Sequence, residues 1–354
     1  MDLQIAVAAS MLPASRSLVG AIFKDVRHRY NGQTALNATL NVLGFPPEAH
    51  REILDLAMRG AEQALQRGTA LGIRACAPGD SEYPPLLACI PDPPPVLWMR
   101  GDAAVLGHPT VAVIGSRAAS QYALAVGERL GRELSERGVT VASGLARGVD
   151  SAAHRGSLAA GGFTAAVLGA GLDRIYPYEH RELAASISKQ GVLVSELGPG
   201  APPLAEHFPL RNRIISGISL AVVVVEASQK SGSLITARCG LEQGRDVMAV
   251  PGSVLTGRNR GSHALLKDGA KVVESADDIL EGLGWAESTF GKATPGKPLI
   301  QDPLLAQMEP GEQYELEALA EMAGVTGARL LPRLMELELQ GLVGAFRGRF
   351  SRLQ

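Results

Sequence analysis

Seven short runs of β-branched and aliphatic residues between positions 111 and 273 alternate with stretches long enough to form helices. In chain order the runs read VAVIG, VTVAS, FTAAVLG, GVLVSE, AVVVVE, DVMAVPG and KVV. They are apolar on both faces, as strands must be when helices cover both sides of a sheet. This alternation predicts an α/β fold with an extended, doubly wound, Rossmann-like parallel sheet.

The segments on either side of this alternation differ from it in the spacing of their apolar residues. Residues 1–75 repeat apolar positions with helical spacing and predict an N-terminal helical domain. Residues 76–284 form the expected Rossmann-like domain, which begins with a proline-rich connector at 83–102. Residues 285–305 lose all periodicity and are predicted to be a linker. Residues 306–354 suggest two short helices and a hairpin, which is typical of a winged-helix-like domain.

The predicted C-terminal hairpin carries a cluster of basic residues. Arg347, Arg349 and Arg352 lie within it, and the segment contains no acidic residue. Such a tip can contact DNA, as the wings of winged-helix domains do. The same residues fit the solvated edge of a small protein-interaction domain, and the sequence leaves both interpretations open.

Composition limits the possible partners and compartments. The formal net charge is -2, so a nucleic-acid site has to be a local basic patch and not a general coat of positive charge. Cys76, Cys89 and Cys239 form no CxxC pair, which suits a reducing environment. The N-terminus makes a poor signal peptide, and no apolar run reaches the length of a spanning helix. We expect a cytoplasmic protein without a membrane partner.

Small and basic residues follow nearly every predicted strand. Ligands of open parallel sheets bind at these carboxyl ends, where glycine-rich loops and helix N-termini offer backbone N–H groups to anions. The sequence therefore predicts a phosphate-binding edge at the strand ends. Its candidate residues are Gly115, Ser116, Arg117, Arg147, Arg211, Asn212, Arg213, Lys230, Ser231, Gly232 and Ser233.

The motifs of common catalytic and cofactor sites are missing from this edge. No GxGxxG follows the first strand and no GxxxxGK[ST] occurs, so we expect no dinucleotide or nucleoside triphosphate cofactor. No HExxH or histidine cluster predicts a metal site. Asp150 and His154 could form an acid–base pair, but a helix-capping aspartate beside a hydrogen-bonded histidine is the favoured reading. Glu196 and Glu226 could activate water or pair with nearby cations.

Long motifs follow one another in a fixed order between residues 115 and 252. They are GSR at 115–117, SGLARGVDSAAH at 143–154, AVLGAGLDRIYP at 166–177, SELGPG at 195–200, FPLRNRIISGIS at 208–219, VVEASQKSGSLITA at 224–237 and GRDVMAVPG at 244–252. This series resembles the DNA-processing protein A (DprA/Smf) family of bacterial natural transformation.

The resemblance implies a function and a set of site residues. Family members bind incoming single-stranded DNA, protect it from nucleases and help to load RecA recombinase. They act as homodimers built through the Rossmann domains and have no known catalytic activity. The resemblance implies a DNA pocket lined by Arg117 and by residues 211–213, with Lys230 and residues 231–233 beside it.

A single strand is held by a basic groove together with flat side chains on which bases stack. The guanidinium of Arg117 can serve both purposes. Phe208 and Tyr178 are the candidate stacking platforms, with core packing as the alternative role for each. If about four basic groups contact phosphates, log affinity should fall with log salt with a slope of about -3. Stacking without base-edge hydrogen bonds predicts little sequence preference.

Two other functions remain open at this point. A nucleotide-processing enzyme of the phosphoribohydrolase type could use a related Rossmann-like fold, although the SGSLIT segment lacks the PGGxGT pattern of that class. A pure interaction adaptor, in which recombinase contact dominates, is the third possibility.

Overall fold

In the part of the chain that the computed structural model describes, a nine-stranded and mostly parallel sheet forms the centre. The described residues are 2–27, 29–285, 304, 308, 313–323, 325–327, 330, 333–334, 337, 343–346 and 349–352. The strands are β1 (Arg74–Cys76), β2 (Leu97–Gly101), β3 (Thr110–Ile114), β4 (Thr140–Ser143), β5 (Thr164–Val167), β6 (Val192–Ser195), β7 (Ala221–Val224), β8 (Asp246–Ala249) and β9 (Lys271–Val272). Their spatial order is β1-β2-β6-β5-β4-β3-β7-β8-β9.

All seven predicted runs contain a strand, β3 to β9, and these strands are parallel to one another. The predicted Rossmann-like α/β sheet is therefore confirmed. Strand β2 was not predicted, because the prolines of the segment 83–102 suggested a connector, and the short strand β1 was not predicted because it falls at the boundary of the predicted helical domain 1–75. Those prolines end at Pro95, so the following residues are free to pair antiparallel with β6, with Met99 opposite Val194.

Helices cover the sheet on both faces, as the unbroken apolar runs require. The helices of this unit are α1 (Leu3–Ala9), α2 (Arg16–Val26), α3 (Gly32–Val42), α4 (Pro47–Ala70), α5 (Pro85–Ala88), α6 (Gln121–Glu136), α7 (Val149–Ala159), α8 (Arg181–Gln190), α9 (His207–Gly217), α10 (Ser233–Glu242), α11 (Arg260–Lys267) and α12 (Ala276–Gly282). Successive residues of β3 alternate between two cores. Val111 and Val113 pack with α6, α7 and α12, while Ala112 and Ile114 pack with α9 and α10.

The N-terminal residues are helical, as expected, and they share a core with the sheet. Phe23, Leu36 and Leu54 from α2, α3 and α4 belong to the same buried cluster as Trp98 of β2 and Leu168 after β5. The described residues up to 285 accordingly form one compact unit. None of the described helices is long and apolar enough to cross a membrane.

The residues from 304 onward belong to a second compact unit. It contains β10 (Gln313–Glu315), α13 (Leu316–Ala323), β11 (Val343–Phe346) and β12 (Arg349–Arg352). Strand β12 pairs antiparallel with both other strands, so a hairpin is present where the sequence suggested one. Most of the predicted linker, Arg347, and the side chains of Arg349 and Arg352 lie outside the described residues.

The connections of the main sheet reverse direction at β3. The chain runs from β3 through β4 and β5 to β6 on one side, then crosses to β7 and β8 on the other side. The crevice between the ends of β3 and β7 is therefore the topological switch point, where open α/β sheets bind their ligands. The loops at 115–117 and 225–233 border this crevice.

Helices α6 and α7 pack with their backbones in direct contact. A Cβ built at Gly156 would overlap the backbone carbonyl oxygen of Glu128, and a Cβ at Gly131 would overlap the carbonyl of Ala153. The two glycines thus allow an approach that no larger residue permits, because the obstructing atoms belong to the main chain.

We expect Gly156→Ala to lower the free energy of unfolding by about 1–3 kcal/mol, because α6 must shift to admit the methyl group. Gly107→Ala is the matched control, since Gly107 lacks a positive φ and a Cβ there would meet no atom within 4 Å. Urea denaturation followed by circular dichroism measures both values. Equal midpoints for the two variants would contradict this account of the helix contact.

Candidate nucleic-acid interface

The first strand of the parallel series, β3, ends at the centre of the candidate site. Gly115 is buried, and a Cβ at this position would lie 2.6 Å from a methyl group of Val149. The tight packing of Gly115 holds the turn that presents Arg117, whose side chain is exposed. The Arg117 guanidinium carbon lies 5.5 Å from the centre of the Phe208 ring, within range of a cation–π contact.

Phe208 connects Arg117 to a second aromatic ring. Its ring centre lies 5.4 Å from that of Tyr176, with the planes inclined at 50°. Gly169 makes room for Phe208, because a Cβ there would approach the ring to 3.1 Å. Tyr176 is 43% exposed, so the pair presents an accessible aromatic surface. Sequence analysis missed Tyr176, although its position after β5, at the same edge, was a usable signal.

Tyr178 had been the sequence-based candidate for a second stacking platform. It is 68% exposed, and the guanidinium carbon of Arg181 lies 3.8 Å from its ring centre. One aromatic platform, Phe208, therefore contacts Arg117, while Tyr178 has its own cationic partner. Of these two tyrosines, Tyr176 and not Tyr178 makes the ring contact with Phe208.

The loop after β4 brings Arg147 to the same group. Arg147 is exposed and forms an ion pair with Glu179. Its guanidinium also interacts with the Tyr176 side chain, and the hydrogen bond that it donates to Glu179 raises the pKa of Arg147. The same hydrogen bond lowers the pKa of Glu179. Arg147 thus lies beside the aromatic pair, but its guanidinium is already paired with the carboxylate of Glu179.

The loop after β7 borders the other side of the switch point. Lys230 is exposed, and no carboxylate lies within ion-pair distance of it among the described residues. The hydroxyls of Ser231 and Ser233 lie 2.7 Å apart at the start of α10. The Asn212 amide donates to the Gly232 carbonyl at 3.4 Å, which ties this loop to α9.

We name the exposed and half-buried part of this region the strand-tip edge. It consists of Ser116, Arg117, Arg147, Tyr176, Phe208, Lys230, Ser231 and Gly232. Gly115 and Ser233 are buried and support it from below. The edge offers cations for phosphates and flat rings for bases at the topological switch point.

The structure corrects the expectation that Arg211 is an exposed member of the edge. Arg211 is 4% exposed, and its Nη1 donates to the carbonyls of Gly144, at 2.6 Å, and of Val167. Asp150, buried alongside, accepts from the Gly144 N–H at 3.1 Å. Burial lowers the pKa of Arg211 to about 10, so the group is still charged at neutral pH. Arg211 joins the ends of β4 and β5 and acts in support of the site.

Arg213 is corrected in the same way. Its Nε donates to Asp92 at 2.9 Å and its Nη2 to Glu196 at 2.7 Å, and all three side chains are largely buried. Two carboxylates thus take the positions that a phosphate would need. Burial by itself would lower the pKa of Arg213, but the adjacent negative charges of Glu196 and Asp92 raise it above its usual value. Asn212, between the two arginines, is also buried.

The candidate catalytic side chains, one histidine and two carboxylates in this group, all have structural partners. His154 is fully buried with its Nδ1 2.6 Å from the Thr164 hydroxyl, and burial lowers its pKa to about 3. Asp150 does not cap α7, because Gly148 holds the N-cap position and no side chain caps this helix; Asp150 accepts instead from the Gly144 N–H in the loop after β4. Glu226 accepts from the Ser120 hydroxyl at 2.6 Å. Among the described residues, no group of three or more histidines, cysteines or acids could hold a metal ion.

The fold is that of an open Rossmann-like α/β protein, a class whose ligands bind at strand ends, and the candidate edge lies at such strand ends. The sequence model of one family, described as DNA recombination-mediator protein A, matches residues 74–284. The chain belongs to this family. The resemblance found in the sequence is thereby confirmed, and DNA processing in recombination is the function class of the family.

Known relatives support this assignment over most of their length. Protein Smf of Escherichia coli (strain K12) is 44% identical over 291 residues, which are 78% of this chain and 77% of the relative. The DNA processing protein DprA of Streptococcus pneumoniae (strain ATCC BAA-255 / R6) is 46% identical over 201 residues, 57% of this chain and 71% of the relative.

Two solved structures share the fold. The structure of DNA processing protein A from Streptococcus pneumoniae superimposes with a TM-score of 0.69 at 34% identity, covering 77% of this chain and 95% of the other. The corresponding protein from Helicobacter pylori gives a TM-score of 0.54 at 28% identity, covering 60% and 95% of the two chains.

We expect Arg213→Met to lower the free energy of unfolding by about 3–5 kcal/mol, because it leaves Glu196 buried without a cationic partner and Asp92 with only the Ser17 hydroxyl. Adding Glu196→Gln should restore part of this loss. Arg74→Met is the control, since it breaks an exposed ion pair with Glu82 and should cost at most about 1 kcal/mol. Urea titrations measure all three. A double variant no more stable than Arg213→Met alone would contradict a charge-based role.

Proposed function

We propose that this protein binds single-stranded DNA at the strand-tip edge, without strong sequence preference. The observation that carries the proposal is the continuous contact of Arg117, Phe208, Tyr176 and Arg147 at the switch point. Cations bind the phosphates of a single strand and rings stack on its bases, and both kinds of group are adjacent here. A ring accepts any base on its face, so this arrangement discriminates little between sequences.

The comparisons give independent support for the ligand. The Helicobacter pylori relative is described with a unique single-stranded DNA binding mode. That structure superimposes on 60% of this chain, with a TM-score of 0.54. We therefore assign the same class of ligand to the edge of this protein.

We also propose that the protein acts by binding and not by catalysis. Glu196 is bonded to Arg213, Glu226 to Ser120, and Asp150 to backbone N–H groups. A carboxylate that activates water or abstracts a proton has to reach a substrate. These three are buried and already hydrogen-bonded, so the edge has no free acid–base group of this kind among them. No observation favours the phosphoribohydrolase alternative.

We make two further proposals about the partners of this protein. The first, which the family description as a recombination mediator supports, is that the bound strand is passed to RecA recombinase during natural transformation in the cytoplasm. The second, which rests only on the resemblance noted in the sequence, is that the protein acts as a homodimer. We also keep the division into residues 1–75, 76–284, a linker at 285–305 and a winged-helix-like domain at 306–354 as a proposal about the domains.

Two free cations at the strand-tip edge, Arg117 and Lys230, set the expected salt dependence. The count is lower than the four groups suggested by the sequence, because Arg211 and Arg213 are buried and Arg147 is paired. At roughly 0.7 per phosphate of a single strand, the slope of log affinity against log salt should be about -1.4 for a short strand.

We expect Arg117→Ala to weaken the binding of a short fluorescent dT oligonucleotide by about tenfold or more at low salt, through loss of a charged contact to phosphate. Fluorescence anisotropy measures the change. Arg132→Ala is the matched control, because Arg132 is an exposed arginine about 16 Å along α6 from its start. Equal affinities for the two variants would remove Arg117 from the site.

We expect Glu179→Gln to strengthen the same binding by about fivefold at about 0.1 M salt, because it releases Arg147 for a phosphate. The slope against salt should steepen by about 0.7 for the same reason. Glu128→Gln removes an equal charge from an exposed ion pair with Arg132 and serves as the control. If both variants gain equally, the effect belongs to net charge and not to Arg147.

A further inference from the structure

A second basic concavity lies at the same end of the sheet as the strand-tip edge. It is a cavity of about 390 Å³ bounded by the loops after β7 and β8 and by α11. Its polar lining includes Gln229, Ser253, Arg260, His263 and Lys267, and no carboxylate lines it. We call it the α11 cavity.

The charge of the α11 cavity comes from one face of a helix. Arg260, His263 and Lys267 occupy positions i, i+3 and i+7 of α11, which lie above one another. Within the described ranges, neither Arg260 nor Lys267 forms an ion pair. Two cations that lie on one wall of a concave surface, with no carboxylate beside them, favour an anionic ligand.

The opposite wall of the cavity is held in place by the same helix. The Nε2 of His263 lies 3.1 Å from the Gly252 carbonyl oxygen and 3.4 Å from the Gly252 nitrogen. A Cβ at Gly252 would overlap the Asn259 side chain, so the loop after β8 packs directly on the start of α11. Asn259 is 3% exposed, which makes this junction part of the interior.

The α11 cavity is physically connected to the strand-tip edge. Arg258 donates to the carbonyl of Ala118, the neighbour of Arg117, at 2.7 Å. The Tyr122 hydroxyl donates to the Pro251 carbonyl at 3.1 Å. On the β7 side, Gln229 of the cavity precedes Lys230 of the edge. The ends of β3 and β8 are separated by two strand spacings, about 10 Å, a distance that a few nucleotides span.

We propose that the α11 cavity binds backbone phosphate of the same DNA strand that the strand-tip edge holds, with Arg260 and Lys267 as the phosphate contacts. This inference rests on the proposed function and extends it by a second contact region. A strand longer than the edge would pass the end of β7 and place its next phosphates on α11. Inorganic phosphate has the same chemistry as this ligand, so the experiment separates the two.

The test compares dT oligonucleotides of about four and about twenty nucleotides by fluorescence anisotropy. For the long strand, Arg260→Ala with Lys267→Ala should weaken binding about 25-fold at about 0.1 M salt and reduce the slope against salt by about 1.4. For the short strand, the double variant should match the unsubstituted protein. Arg51→Ala with Arg59→Ala is the control, because it removes two exposed cations from α4.

The outcomes separate this inference from the function on which it rests. If Arg117→Ala weakens the long strand but the α11 double variant follows the α4 control, the cavity assignment fails and the proposed function stands. If the unsubstituted protein binds neither strand, both fail. The last outcome concerns inorganic phosphate, added at low millimolar concentration and constant ionic strength. If it makes the unsubstituted protein bind the long strand no more tightly than the α11 double variant does, the cavity is a free-phosphate site, and its assignment to the strand is overturned.

Discussion

The buried guanidinium of Arg211 is the interaction on which the candidate site depends. It lies beneath the exposed edge, bound to the carbonyls that follow β4 and β5, and its charge faces Asp150 at the start of α7. Asp150 in turn accepts from backbone N–H groups of the loops after β3 and β4. One buried pair thus fixes three strand-end loops at once. Burial raises the pKa of Asp150, and the charge of Arg211 opposes this effect.

Helix α9 links this interior to the surface. Its first turn carries Phe208, half-buried against Tyr176, and its second turn carries Arg211 and Arg213, which are buried. Arg213 reaches Asp92 in the proline-rich segment and Glu196 after β6. Because the helix is held from below by charged hydrogen bonds, the ring of Phe208 has a fixed position at the edge. A stacking platform is useful only if its orientation is set before the ligand arrives.

The sequence predicted the sheet but not the burial of the arginines. Strands β3 to β9 follow from apolar runs that only a covered sheet accommodates. The switch point depends on the spatial order of the strands, which the chain order does not reveal. By contrast, the motif at 208–219 shows two arginines at a helix start, which is equally compatible with exposure and with burial. For Arg213 the difference is decided by Asp92 and Glu196, and for Arg211 by the carbonyls of Gly144 and Val167. All four partners are distant in sequence and adjacent only in the fold. Tyr176 was missed for a similar reason, because its contact with Phe208 joins the loop after β5 to helix α9.

Photo-crosslinking tests the central claim most directly. A dT oligonucleotide that carries halogenated uracil is irradiated with the full chain, and the modified peptides are identified by mass spectrometry. If bases of the bound strand stack on these rings, we expect crosslinks at Phe208 or Tyr176. Crosslinks confined to α4 or to residues 313–352, with none in the segments that carry these two rings, would contradict it.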